Sequence, residues 1–141
     1  MGDFTFYNSG KLRSLNGEIS HTDTIVCVLL ADTYTPDATH STYADVSGSE
    51  IADADYSPQV VSNLAFSEAT GTVTLDCDDI SFGSDVSIEA KYAVFVRRDG
   101  ASLAAGDFLL GYVDLNTAGG TVSSTNSTFS VNTPNGVYEA S

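Results

Sequence analysis

Val86-Ser87-Ile88-Glu89-Ala90-Lys91-Tyr92-Ala93-Val94-Phe95-Val96-Arg97 decides the fold class. Val86, Ile88, Ala90, Tyr92, Val94 and Val96 fall on one side of a two-residue period; Ser87, Glu89, Lys91 and Arg97 fall on the other. That period predicts a strand with its apolar set on a core. Arg98-Asp99-Gly100 closes it.

Further strands are expected on both sides of this one. Thr24 to Ala31 is apolar nearly throughout, so both of its faces should be covered. Val60 to Phe66 and Thr72 to Cys77 read as two strands joined through Glu68-Ala69-Thr70-Gly71, with a turn following at Ser81-Phe82-Gly83-Ser84-Asp85. Phe108 to Leu115 is the next strand and Thr117-Ala118-Gly119-Gly120 the next turn. Thr128 to Asn132 carries Phe129 and Val131 on one face, and Pro134-Asn135-Gly136 leads into Val137-Tyr138. About seven or eight strands at short spacing predict an all-β protein, an antiparallel β-sandwich of jelly-roll or immunoglobulin-like type. No repeat or second domain is visible, so residues 1–141 read as one domain.

Two segments stand outside this pattern. In the opening one, Phe4 and Phe6 alternate with polar residues before Asn8-Ser9-Gly10 punctuates. Residues 1–16 are a candidate contact arm, the alternative for Phe4 and Phe6 being an ordinary first strand. Asp32 to Ser49 reads as a long loop with one short helical turn near Thr42-Tyr43-Ala44. Loops of that length are usually functional or partner-bound. Tyr34 and Tyr43 would anchor it to the core or to a neighbour.

The 141 residues hold 19 Asp+Glu against 5 Lys+Arg, a net charge of −14. Such a surface repels nucleic acid and anionic membranes, and five cations cannot neutralise a run of phosphates. Hydrophobic residues make up 42%, enough to keep the chain out of the disordered class. The longest apolar run, Ile25 to Ala31, is too short to span a bilayer. Met1-Gly2-Asp3-Phe4 has no basic or apolar signal character, and lipidation at Gly2 is not expected because the Ser or Thr that a myristoylation signal prefers is lacking at its position. We therefore expect synthesis in a cytoplasm. Cys27 and Cys77 lie in apolar runs and are expected as buried thiols.

Residue chemistry nominates no reaction. Asp53-Ala54-Asp55 and Asp76-Cys77-Asp78-Asp79 lack the spacing of a calcium loop and read as turn caps or a solvated face. His21 and His40 are the only histidines and form no zinc-type pair. No Gly-x-Ser-x-Gly elbow or phosphate loop occurs. Asn126-Ser127-Thr128 fits a glycosylation sequon, a chance match without an export signal. We expect no catalytic residues, no cofactor and no bound metal.

A family likeness runs through several segments. They are Gly17-Glu18-Ile19, Asp23 to Leu30, Asp32-Thr33-Tyr34-Thr35-Pro36-Asp37, Thr39-His40, Tyr43 to Ile51, Tyr56, Asp76 to Asp79, Ile88 to Phe95 and Leu110 to Asp114. Together they resemble a family of small structural proteins of tailed double-stranded DNA bacteriophages. The chain departs from that pattern after Tyr56, where Ser57-Pro58-Gln59 replace glycines.

The resemblance implies a non-enzymatic virion protein, a capsid decoration or cement protein on the capsid surface. Its implied partner is the major capsid protein, with no nucleic acid and no membrane, and a homotrimer, or a dimer next, is the natural assembly. Candidate contact residues are Phe4, Phe6 and Tyr7 in the opening segment and Tyr34 and Tyr43 in the long loop. Alternatives are a tail or neck component, or a host-receptor or glycan-binding module using Tyr34, Tyr43 and Tyr56.

Overall fold

A computed structural model describes residues 1–132 and the strand backbone at 138–140. In chain order the elements are β1 (Thr5–Phe6), α1 (Asn8–Leu15), β2 (Ile25–Leu30), β3 (Gln59–Val60), β4 (Ala65–Ala69), β5 (Thr72–Asp76) and β6 (Ile80–Ser81). There follow β7 (Val86–Ala90), β8 (Tyr92–Arg97), β9 (Phe108–Asp114), β10 (Val122–Ser127), β11 (Ser130–Val131) and β12 (Tyr138–Ala140). The fold is all-β, antiparallel and sandwich-like, with open sheet edges rather than a closed barrel.

The central layer is a five-stranded sheet ordered β1-β9-β8-β2-β3. Every residue of β2 is buried, as an apolar run with no polar side predicts. Ile25, Cys27 and Leu29 enter a large cluster on one face; Val26, Val28 and Leu30 enter a smaller cluster on the other. The second layer is made of short pairs, β7 with β10, β6 with β11, and β5 between β4 and β12. Their Leu75, Ile80, Ile88, Ala90 and Val131 close the large cluster.

The long loop is the third layer. Tyr34 and Val46 pack with Tyr7 on the smaller cluster, covering the sheet face that the second layer leaves bare. Two 3-10 turns, Tyr43–Asp45 and Ser47–Ser49, shape it. The first has a capping box between Thr42 and Asp45, and the backbone N–H groups of Ser41 and Thr42 hold the Asp45 carboxyl below its usual range.

Four sequence expectations change. The single strand from Val86 to Arg97 is two strands in different sheets, broken at Lys91. Ile88 and Ala90 face the large cluster, yet Val94 and Val96, of the same parity, face the small one. Lys91 marks the change: its N–H donates to Leu30 O, and its carbonyl accepts from Leu115 N.

The strand read as Val60 to Phe66 likewise divides between β3 and β4, around Asn63 at φ 55°. β10 was not expected, because Val122 is the only apolar residue in its six positions. It pairs antiparallel with β7, and the Ser124 hydroxyl adds to that pairing by donating to Val86 O and accepting from Ile88 N.

The opening segment contains α1, where Asn8-Ser9-Gly10 had read as punctuation. Residues 1–16 lie along β9 instead of standing away as an arm: Gly2 N donates to Asp114 O, Thr5 pairs Tyr112, and Tyr7 N donates to Leu110 O. The turn expected at Pro134-Asn135-Gly136 lies outside the described residues.

Candidate interaction surface

Of the five residues expected to meet a partner, three are consumed by the chain's own core. Phe4, Tyr7 and Tyr34 are buried, while Phe6 and Tyr43 are partly buried against the two clusters. Phe4 sits edge-on to Phe6 and to Phe95, at ring-centroid distances of 5.0 and 5.5 Å. Tyr7 and Tyr34 share a hydroxyl hydrogen bond of 2.8 Å, and the Tyr34 hydroxyl lies 2.9 Å from His40 Nδ1. Burial, then the bond to Tyr34, raises the Tyr7 phenol well above its ordinary value; burial raises Tyr34 as well.

A second tyrosine pair converges on one carboxylate. Tyr43 and Tyr56 both donate to Glu50, the latter at 2.6 Å, and the Tyr56 hydroxyl accepts from Leu29 N at 3.1 Å. Burial, then the Glu50 contact, pushes both phenols up. The hydroxyls of Tyr34, Tyr43 and Tyr56 are therefore engaged inside the fold, which leaves little for a glycan platform.

The acidic residues near Asp53 have structural work. Asp53 Oδ2 accepts from Glu89 N at 2.9 Å and Asp55 Oδ2 from Ser87 N at 2.8 Å. Two carboxylates two residues apart thus satisfy alternate N–H groups along the open side of β7, as a neighbouring strand would. The same stretch covers β2, where Leu30 bridges Glu50 and Ile51 N donates to Leu29 O. Asp78 caps Asn63 through its side-chain amide. Among the described residues no three His, Cys, Asp or Glu side chains group as metal ligands. Cys27 and Cys77 are buried in the large cluster, and burial raises the Cys27 thiol far from its reactive range.

Most cations are also committed internally. The Arg13 guanidinium lies 3.6 Å from the centre of the Phe108 ring, with Arg97 at 5.9 Å. Arg97 pairs with Asp23 and Asp99. Buried Lys91 bonds Asp114 at 2.6 Å and the Asn116 carbonyl.

Burial alone would raise the Asp114 carboxyl, but the Lys91 bond and the Asn116 N–H outweigh it and hold it below its ordinary range. A lowered folded-state value means stability present above the ordinary carboxylate range and lost as pH falls through the lowered value. Asp114→Asn should cost about 1–2 kcal/mol at pH 7, the partial exposure of Asp114 keeping it below a fully buried pair. Thermal melts from pH 6 to pH 2.5 should show the gap between variant and wild type closing toward the acid end.

One part of the exposed surface is apolar. Leu12 and Leu15 on α1, Phe66 on β4 and Val73 on β5 are exposed, Leu15 at 79% and Phe66 at 55%. Between α1 and the β4–β5 hairpin lies a groove of about 260 Å³, lined by Phe6, Leu15, Ile19, Leu64, Phe66 and Leu75, among others. Lys11, Ser14, Ser20 and His21 supply its polar lining.

No protein-family model, curated protein or solved structure matches the chain. The surface is therefore judged on its own chemistry: an open apolar groove on an acidic frame, suited to binding another macromolecule. Sequence reasoning missed it because its walls come from α1 and from a hairpin far along the chain. The available signal was slight, since Leu15 is the one apolar residue that α1 gives to the lining.

Proposed function

We propose that this protein is a non-enzymatic structural component of a bacteriophage virion, a decoration or cement protein that binds across major capsid subunits. The observation that carries the reading is the open apolar groove between α1 and the β4–β5 hairpin, with exposed Leu15 and Phe66 in its lining, on a chain of net charge −14. The likeness of its segments to phage structural proteins points the same way. The hydroxyls of Tyr7, Tyr34, Tyr43 and Tyr56, most cations and the Asp53 and Asp55 carboxylates are spent on internal bonds, as suits a rigid module that works by contact.

The mechanism is linkage. A subunit that binds only the assembled shell adds its binding free energy to that state, about 2.7 kcal/mol per site at a free concentration near 100 Kd. Lattice repetition adds avidity, and a homotrimer would place three copies of the groove around one axis. The negative remainder of the surface keeps particles apart.

Purified protein added to undecorated shells should raise their rupture temperature, saturably with concentration. Absence of binding would remove the cement reading. Quantified gel bands then separate sites on the particle: on the order of hundreds of copies means shell decoration, and about six or twelve means a neck or tail component.

A further inference from the structure

We propose that the open edge of β4, with the groove beside it, takes up an extended segment of a partner protein as an added strand, and that this segment alternates apolar residues with lysine or arginine. The inference deepens the lattice-binding role and rests on it only for which protein supplies the segment.

The backbone supplies the first half of the case. Thr70 and Gly71, at φ 51° and 83°, form a two-residue turn that makes Ala69 and Thr72 the closing hydrogen-bonded pair. Hydrogen-bonded pairs then recur at Ser67 with Thr74 and at Ala65 with Asp76, so Phe66 and Glu68 aim their N–H and C=O groups away from β5. β4 ends its sheet, and no strand among the described residues pairs that side.

Edges of this kind are normally blunted by proline, lysine, a bulge or a covering loop. This molecule covers the edge of β7 with Asp53 and Asp55, and the Tyr56 hydroxyl takes the Leu29 N–H on the part of β2 that β3 does not reach. All five residues of β4 are exposed. The strand is left able to accept another by backbone pairing, with specificity from the pocket beside alternate side chains.

Charge chooses the occupant. Glu68 is held at the hairpin tip by Gly71 N, and exposed Asp76 and Asp78 stand at its base. Carboxylates thus lie at both ends of the open edge, while Lys11 lies on the wall formed by α1. A second copy would bring another −14 charges to the same place. A basic, apolar-alternating segment instead puts its apolar side against Phe66 and the groove and its cations on the opposite face, the one that carries Asp76.

The probe is a fluorescein-labelled heptapeptide of alternating valine and lysine, followed by fluorescence anisotropy, beside a valine–aspartate counterpart. Saturable binding of the lysine peptide is expected, with the aspartate peptide at least about tenfold weaker. Glu68→Pro removes an outward N–H, at a position where an edge strand tolerates proline, together with the exposed carboxylate that accepts from Gly71 N, and should weaken binding at least about tenfold while the melt is kept. Phe66→Asp, at an exposed position, should do the same and stands in if the proline variant melts early.

No saturable binding, equal binding by both variants, or equal binding of both peptides would overturn the proposal. So would self-association of the wild type in sedimentation that Glu68→Pro abolishes, which assigns the edge to a second copy. Shell binding that survives both variants overturns this inference and leaves the decoration role standing. Peptide binding by a protein that ignores shells does the reverse.

Discussion

Gly10→Ala should lower the thermal midpoint by roughly 10 °C, a loss of about 3 kcal/mol at the upper end of core overpacking. In an ordinary exposed helix the same change would gain about 1 kcal/mol, because alanine is the better helix former. The sign reverses here because α1 lies directly on β9. A Cβ at Gly10 would fall inside contact distance of the Leu110 carbonyl oxygen and 2.7 Å from that of Leu109.

Both obstacles are backbone, so no rotamer change relieves them. Leu110 is itself the extra residue of a β-bulge, since Phe95 pairs Gly111 and Val96 pairs Leu109. Its carbonyl already accepts from Tyr7 N, so helix, bulge and the buried Tyr7 would shift together. Gly106→Ala is the matched control: nothing lies within 4 Å of its added Cβ. It should be neutral or gain up to about 1 kcal/mol. Melts of the two variants beside wild type check the contrast, and a Gly10→Ala protein as stable as wild type would mean that α1 is not seated on β9.

Tyr56→Phe should cost about 2–3 kcal/mol, read as a fall in the urea midpoint at unchanged slope. The lost hydroxyl serves two partners. It donates to Glu50, and it accepts from the N–H of Leu29 in the middle of a wholly buried strand. β3 pairs β2 only at Val26 and Cys27, so no neighbouring strand reaches that N–H. The phenylalanine ring would keep its stacking on Phe82, leaving an orphaned donor as the main penalty. Tyr43→Phe removes one donor to Glu50 and no backbone partner, and should cost about 1 kcal/mol. Equal costs for the two variants would show that the Leu29 bond contributes nothing.

Parts of this architecture are legible in the residues. Ile25–Leu30 has no polar side, and it is buried on both. Thr70-Gly71 turns a hairpin where those residues stand in the chain. The turn near Thr42-Tyr43-Ala44 and the long loop carrying it are present. Other parts were hidden for identifiable reasons. An alternation of twelve residues says nothing of a break at Lys91, because a bend that changes sheets preserves the period while exchanging the faces. β10 has almost no apolar signal, since backbone pairing with β7 and the Ser124 hydroxyl hold it in place of apolar side chains. Aromatics in a long polar loop look the same whether they meet a neighbour or the chain's own sheet.

Composition and periodicity by themselves determined an acidic all-β protein with antiparallel strands and no nominated reaction centre. Those properties depend on residue type and on spacing along the chain, which are local. Only the tertiary structure decided that Tyr7 and Tyr34 are core, that Asp53 and Asp55 replace a missing strand, and that Leu15 and Phe66 line one open groove. Each of those depends on which distant segments meet, and burial and hydrogen-bond satisfaction are properties of that meeting.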